Sequence, residues 1–402
     1  METIHLIDHF SEIWNNASDR FPTFTTSYSN AEKRERETLF SGYTDRFREL
    51  RKEGEGRNID TEKFFRGMRT VMQKVYDYSD ASLDLITQPA MIEASRSFYR
   101  EARAFDASLK REEIYQAMRN AWIMNGLQLL LGLPVQLTPS ILAYSLLYPY
   151  SDNLLDDPGV TTDEKAAFSR RFEGCLRGEG TMGRNVREQA IEALVAMICQ
   201  EYPRDRFPLV HQSLLAIHRA QTRSLRLCGY GNRPSTQEIL RIGFDKGGTS
   251  VLADGYLVAG HLSPEISRFF YGYGVWLQLA DDIQDLEEDL AEGTLTLFSA
   301  PENLPDLPAL TNRAFHFGRM VMEDIKYCSN SVSEEFGQVI LQSIELMLLQ
   351  AAGLSSRFYP RNYRQQLEEF SPLGFDYLLE ARKKGTPGRM KLITSLIEEP
   401  GF

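Results

Sequence analysis

The stretch LADDIQDLEEDL, residues 279–290, decides how this chain reads. Six of the nine residues from Asp281 to Asp289 are acidic, and no Lys or Arg occurs between Arg268 and Arg313. The run follows YGYGVWLQL without a breaker, so the spacing predicts one helix carrying all the acids. On that helix Asp281/Asp285 and Asp285/Asp289 are like-charge pairs four residues apart, each costing roughly a few tenths of a kcal/mol. A solvated face would intersperse Lys at this spacing. The missing counter-charge must come from solvent, a partner surface or a bound cation.

A second cluster lies upstream, where a helix begun at Thr138-Pro139 ends in YPYSDNLLDD. Asp152 and Asp156 stand four apart, Tyr144 and Tyr148 continue the stripe, and no base occurs between Arg119 and Lys165. Pro149 should bend this helix one turn before Asp152, because it removes a backbone donor and crowds the preceding turn. Mg²⁺ prefers carboxylate oxygens completed by water and substrate phosphate, so two facing acidic helices suit a diphosphate bridged by several ions. Cations to grip the remaining oxygens are available elsewhere. Arg219, Arg223 and Arg226 form a helical stripe, although such a stripe also suits a solvated face. Lys246 precedes Gly247-Gly248, read as a helix break exposing N–H groups to an anion, and RFYPRNYR supplies Arg357, Arg361 and Arg364.

Composition sets the bounds. The 402 residues are 42% hydrophobic and 25% charged, ordinary for a globular chain, with a net charge of −11 that argues against a nucleic-acid partner. The N-terminus lacks the basic and apolar regions of a signal peptide. The most apolar window, AWIMNGLQLLLGLPVQL, is too short and polar to span a bilayer. Cys175, Cys199, Cys228 and Cys328 show no metal or disulfide spacing, which fits a reducing compartment. The expectation is a cytoplasmic protein without a membrane span. Peripheral membrane contact for an apolar product and a homodimer stay open.

Helical signals recur nearly throughout. Thr161, Ser235, Ser263, Ser331 and Ser371-Pro372 look like helix starts. Gly132, Pro158-Gly159, Pro203, Gly229, Gly293 and Gly353 look like stops. The expected fold is all-α, with residues 1–105 as accessory helices beside a core domain spanning 106–402. The breaker-rich stretches 174–183 and 293–308 read as candidate lids.

With both clusters in view, the chain resembles the class I isoprenoid synthases. Asp281-Asp282-Ile-Gln-Asp285 is similar to the second DDxxD motif of trans-prenyltransferases. Tyr256-Leu-Val-Ala-Gly260 with Gln278-Leu-Ala-Asp281-Asp282 resembles squalene and phytoene synthases. Asp152-Asn153-Leu-Leu-Asp156 looks most like the DxxxD of bacterial large-terpene synthases, whose second motif also runs DxEED, as from Asp285 to Asp289. The likeness covers about residues 110–365, roughly two thirds of the chain. It departs in having no GGKR-like segment, no plant-type NSE triad and no DxDD motif.

The resemblance implies a helical bundle around an apolar cavity. There Asp152, Asp156, Asp281, Asp282, Asp285 and Asp289 would hold several Mg²⁺ ions, with Asp152, Asp156, Asp281 and Asp285 catalytic. Arg223, Lys246, Arg361 and Arg364 would bind a prenyl diphosphate. Tyr144, Tyr148, Gly274 and Gln278 would measure its tail, with a side-chain gap at Gly274, while Tyr271 and Trp276 add aromatic faces for a carbocation. The implied function is a Mg²⁺-dependent terpene synthase. The alternatives are a head-to-head prenyl transferase and a catalytically silent scaffold of the same fold. The six histidines suggest no catalytic arrangement, and product diphosphate or a Tyr hydroxyl would take the final proton. A di-iron bundle would need two inward Glu-x-x-His motifs, and only Glu2-x-x-His5 exists.

Overall fold

The computed structural model describes residues 3–53, 61–155, 159–180, 183–228 and 234–383, without the side chains at 46–53, 61–65, 148 and 152. Among the described residues the chain is all-α. In order, the helices are α1 (Ile4–Asn16), α2 (Asn30–Glu53), α3 (Thr61–Lys74), α4 (Asp80–Ile86), α5 (Pro89–Phe105) and α6 (Arg111–Leu130). Then come α7 (Pro139–Leu155), α8 (Thr162–Arg177), α9 (Val186–Glu201), α10 (Pro208–Ser224), α11 (Thr236–Ala259) and α12 (Pro264–Gln284). The last five are α13 (Leu286–Glu292), α14 (Leu307–Met322), α15 (Ser333–Leu354), α16 (Arg361–Glu368) and α17 (Phe375–Lys383).

Local chemistry sets several boundaries where the sequence placed them. The hydroxyls of Thr161, Ser235 and Ser263 accept from the backbone N–H three residues on, which starts α8, α11 and α12. Gly293 ends α13 at φ 73°, a left-handed conformation that favours glycine. Other boundaries differ. Helix α15 starts at Ser333 and not beside Ser331, because Asn330 Oδ1 accepts from Val332 N–H and turns the chain there. Ser371 starts no helix: its hydroxyl donates to Leu373 O, and α17 begins at Phe375, whose N–H reaches Glu368. Gly353 lies inside α15, where the Phe375 ring packs so closely that a Cβ would sit 2.1 Å from it. Pro158 and Gly229 lie outside the described residues.

The centre of the fold is the α11–α12 pair. Helix α11 runs unbroken through Gly247-Gly248, contrary to the expected interruption. Those glycines bring two helix backbones together. A Cβ on Gly274 would stand 2.2 Å from Gly247 O, and one on Gly248 would stand 2.4 Å from the Tyr271 ring. The gap read at Gly274 is therefore filled by the neighbouring backbone and offers a substrate no room. Tyr271 and Trp276 are fully buried, Tyr271 stacked 5.6 Å from Phe10 and Trp276 against Gly318. Helix α1 sinks into the same core, with Trp14 edge-on to Phe244 and Phe317 at 6.2 and 5.9 Å. A smaller core of Phe40, Val71, Val75 and Leu373 ties α2 and α3 to the segment before α17.

The segment 293–308 does not have the character of a lid. Leu297, Phe298 and Ala300 are buried, and Leu295 N–H bonds Leu227 O at 2.9 Å. In the stretch 174–183, the first four residues close α8 and Gly178 caps it at φ 76°, while 181–182 lie outside the described residues. One helix among the described residues, α15, is long and apolar enough to cross a membrane, and half of its apolar window is buried in the fold.

Two glycines separate packing from propensity. Gly274→Leu should cost more than the ~1–3 kcal/mol of ordinary overpacking, because backbone and not a yielding side chain stands in its way. Gly243→Ala on α11, with nothing within 4 Å, should gain about 0.5–1 kcal/mol from helix propensity. Thermal unfolding of both variants checks this, and a wild-type melting temperature for Gly274→Leu would refute the contact.

Candidate active site

A cavity of about 430 Å³ opens beside the C-terminal half of α12. Six helices line it, each through residues three or four apart. Gln278 and Asp281 come from α12, Asp285 from the residue that follows it, and Lys246 and Ser250 from α11. Helix α6 adds Gln116, Arg119, Asn120 and Ile123, and α7 adds Tyr144, Leu147, Ser151 and Leu155. Phe172 and Leu176 of α8 face the α10 row Leu214, Ile217, His218 and Gln221, with Ser224 and Leu225 completing the wall. Carboxylates and two cations thus share one cavity with aliphatic and aromatic side chains, among which polar groups are interspersed.

The acidic stretch is not one straight helix. Helix α12 stops at Gln284, Asp285 takes φ −95° and ψ 8°, and α13 restarts at Leu286. The backbone still steps through the bend, with Asp285 N–H on Asp281 O and Asp289 N–H on Asp285 O, both 2.9 Å. Asp281 is exposed within the cavity, although protein encloses it on most sides. That enclosure raises its carboxyl above the usual range, and the charge of Asp285 adds to the shift. Asp282 is buried and raised to about 7 by that burial; Gln278, donating to its Oδ1 at 2.7 Å, pulls the other way. Asp289 is raised to about 8 by burial and then by Asp282 and Asp285. Burial and mutual repulsion both disfavour the charged forms.

Among the described residues no Lys or Arg pairs directly with these four acids, and Lys246 acts on Asp281, Asp282 and Asp289 only through its field. No cluster of three His, Cys, Asp or Glu side chains among the described residues could by itself hold a metal. Mg²⁺ does not require such a cluster, since one or two carboxylates plus waters and substrate phosphate suffice. Asp281 and Asp285, hard oxygen donors on an under-compensated cavity wall, fit that requirement.

The structure sorts the residues singled out in the sequence. Asp281, Asp285, Lys246, Gln278 and Tyr144 meet at the cavity. Asp156 lies outside the described residues, as do the side chains of Asp152 and Tyr148; residues 151 and 155 of the same helix line the wall. Arg223 is not brought to this cavity. Its Nη1 donates to buried Asp245 at 2.8 Å, and it lines a separate surface pocket with Arg226 and Arg241. Arg219 pairs with Glu173, and Arg226 with Glu238. Arg364 donates to Gly353 O at 2.7 Å, and Arg361 is exposed at the start of α16; neither lines the cavity.

Sequence reasoning missed Arg119 and Asn120 on α6, the Asp254 behind them, and His218. Arg119 lowers the Asp281 carboxyl through its field, supplying the second cation. Asn120 Nδ2 donates to Asp254 Oδ1 at 3.1 Å. These residues form no recurrent motif within α6, α10 and α11, so no local spacing announces them. No known protein family matches this chain, and a comparison with curated proteins finds no match either.

Proposed function

We propose that the chain is a Mg²⁺-dependent terpene synthase of the class I isoprenoid synthase type, ionising a linear prenyl diphosphate. The observation that carries this reading is the joint lining of one cavity by Asp281 and Asp285, by Lys246 and Arg119, and by an apolar wall from α7, α8 and α10. A diphosphate needs the first two groups and a prenyl tail needs the third.

Asp281 and Asp285 would hold the metal, and the sequence offers Asp152 and Asp156 for the remaining positions. Bound Mg²⁺ supplies the charge that makes diphosphate a leaving group. Lys246 and Arg119 donate hydrogen bonds to phosphate oxygens and balance their charge. Leu147, Leu155, Leu214 and Ile217 exclude water from the cation left behind, and the faces of Tyr144 and Phe172 stabilise it. Ser151, His218, Gln221 and Ser224 are polar groups within that wall.

The test is incubation with linear prenyl diphosphates of graded length, with and without Mg²⁺, followed by diphosphate and product analysis. Mg²⁺-dependent release of diphosphate with one cyclised or dehydrated product is expected. Release only when two prenyl diphosphates are supplied would favour a transferase, and no release at all would favour a silent scaffold. Within this reading Lys246→Gln and Arg119→Gln should each slow release by roughly ten- to a thousandfold, as losing one preorganised donor does. Arg223→Gln should leave the rate near wild type, because Arg223 is directed at Asp245. Steady-state rates of the three variants decide it.

A further inference from the structure

His218 is buried, 4% exposed, yet its side chain forms part of the cavity wall on α10. Its Nε2 lies 3.0 Å from Ser169 O. A carbonyl oxygen only accepts, so Nε2 carries the hydrogen and Nδ1 presents a bare lone pair. Nδ1 has no hydrogen-bond partner among the described residues. The Phe172 ring stands edge-on at 4.9 Å and 71°, packing the imidazole in this orientation. Around the cavity, Asp281 and Asp285 are given to the metal, and Lys246 and Arg119 to the phosphates. Among its lining groups an imidazole lone pair is therefore the natural acceptor for a proton leaving carbon.

We propose that His218 is the base that ends the reaction, its Nδ1 taking a proton from the carbocation held against the α10 wall. This rests on the terpene synthase reading above. Nδ1 removes H⁺ from the carbon next to the cationic centre, and the C–H electron pair becomes the new C=C bond. The proton stays on the imidazolium until product leaves, and then passes to water. Burial keeps the ring below its ordinary pKa and Arg219 acts in the same sense, while the Ser169 carbonyl and the Glu173 charge oppose them. The net lowering leaves the ring neutral, and so able to accept, at pH 7. Glu173, on α8 and ion-paired to Arg177 and Arg219, places a negative charge near the imidazolium once it forms.

The test compares His218→Gln with His211→Gln. Glutamine at 218 keeps an N–H for Ser169 O but has no basic lone pair. His211 lies on the same helix with both nitrogens engaged, by Tyr202 O and Arg204, and it is absent from the cavity wall. Per diphosphate released, His218→Gln should lower the ratio of alkene to water-captured alcohol by about tenfold or more, while His211→Gln keeps the wild-type ratio. An unchanged ratio in folded His218→Gln overturns the assignment while leaving the terpene synthase reading intact. Absence of diphosphate release in the wild type overturns that reading instead. A second measurement needs no substrate: ¹⁵N shifts of histidine-labelled wild type should show an unprotonated Nδ1 at neutral pH, and a protonated Nδ1 there sinks the proposal.

Discussion

Asp285→Asn is expected to lower Mg²⁺-dependent diphosphate release by about 10³-fold, as removing a key electrostatic group does, while making the metal-free protein more stable at pH 8. Both effects follow from its position. Asp285 lines the cavity beside Asp281, and its charge helps to raise Asp281, Asp282 and Asp289. Folded carboxyls near about 7 and about 8 keep protons that the unfolded chain loses near pH 4. The folded state then binds more protons than the unfolded state, so metal-free stability falls as pH rises through that window and levels off above it. Removing the Asp285 charge lowers all three neighbours and should flatten the slope. Mg²⁺ with inorganic diphosphate should relieve the same repulsion in the wild type, giving a thermal shift larger at pH 8 than at pH 5 and small in the variant. Wild-type turnover, or a pH slope identical to the parent, would remove the α12 cluster from the proposed metal site.

The acidic wall was legible because its signal is local: six acids in nine positions without a base. So were the caps at Thr161, Ser235 and Ser263, where one hydroxyl meets one N–H three residues on. What failed depended on neighbours distant in sequence. Gly247-Gly248 has the composition of a break, since each glycine costs about 1 kcal/mol in a helix. The close approach of α12 offsets that cost, and only the partner helix reveals it. The same blindness gave Gly274 to the substrate, where Gly247 O stands in the way of a side chain. Lid-like composition at 293–308 concealed five buried residues, Leu297, Phe298, Ser299, Ala300 and Leu307. Arg223 looked like a phosphate ligand until Asp245, 22 residues on, proved to be its partner. His218 offered no spacing at all, because its meaning depends on the Ser169 carbonyl and a cavity built by other helices.

Asp254 shows the same dependence at larger energetic scale. It is 0% exposed on α11; its Oδ1 accepts from Asn120 and its Oδ2 has no partner among the described residues. Burial raises its carboxyl to about 8, with the Asn120 N–H drawing it only partly back, so at neutral pH it is largely the uncharged acid. The unfolded chain would release that proton near pH 4. Between those limits the folded state alone keeps the proton, and stability contributed by this group falls as pH rises, by a total on the order of 5 kcal/mol. Asp254→Asn resembles the protonated acid in size and still offers Asn120 an acceptor oxygen. The variant should therefore match the wild type near pH 4 and exceed its stability by several kcal/mol at pH 8, read by denaturant titration at each pH. Asp282 and Asp289 titrate over the same window, and Asp282 shares no hydrogen-bond partner with Asp254. Asp254→Asn and Asp285→Asn should consequently remove separate, additive parts of the pH slope. Parallel wild-type and Asp254→Asn curves from pH 4 to 8 would mean that the carboxylate is solvated or paired in the folded chain, and that the wall behind Asn120 is open to water.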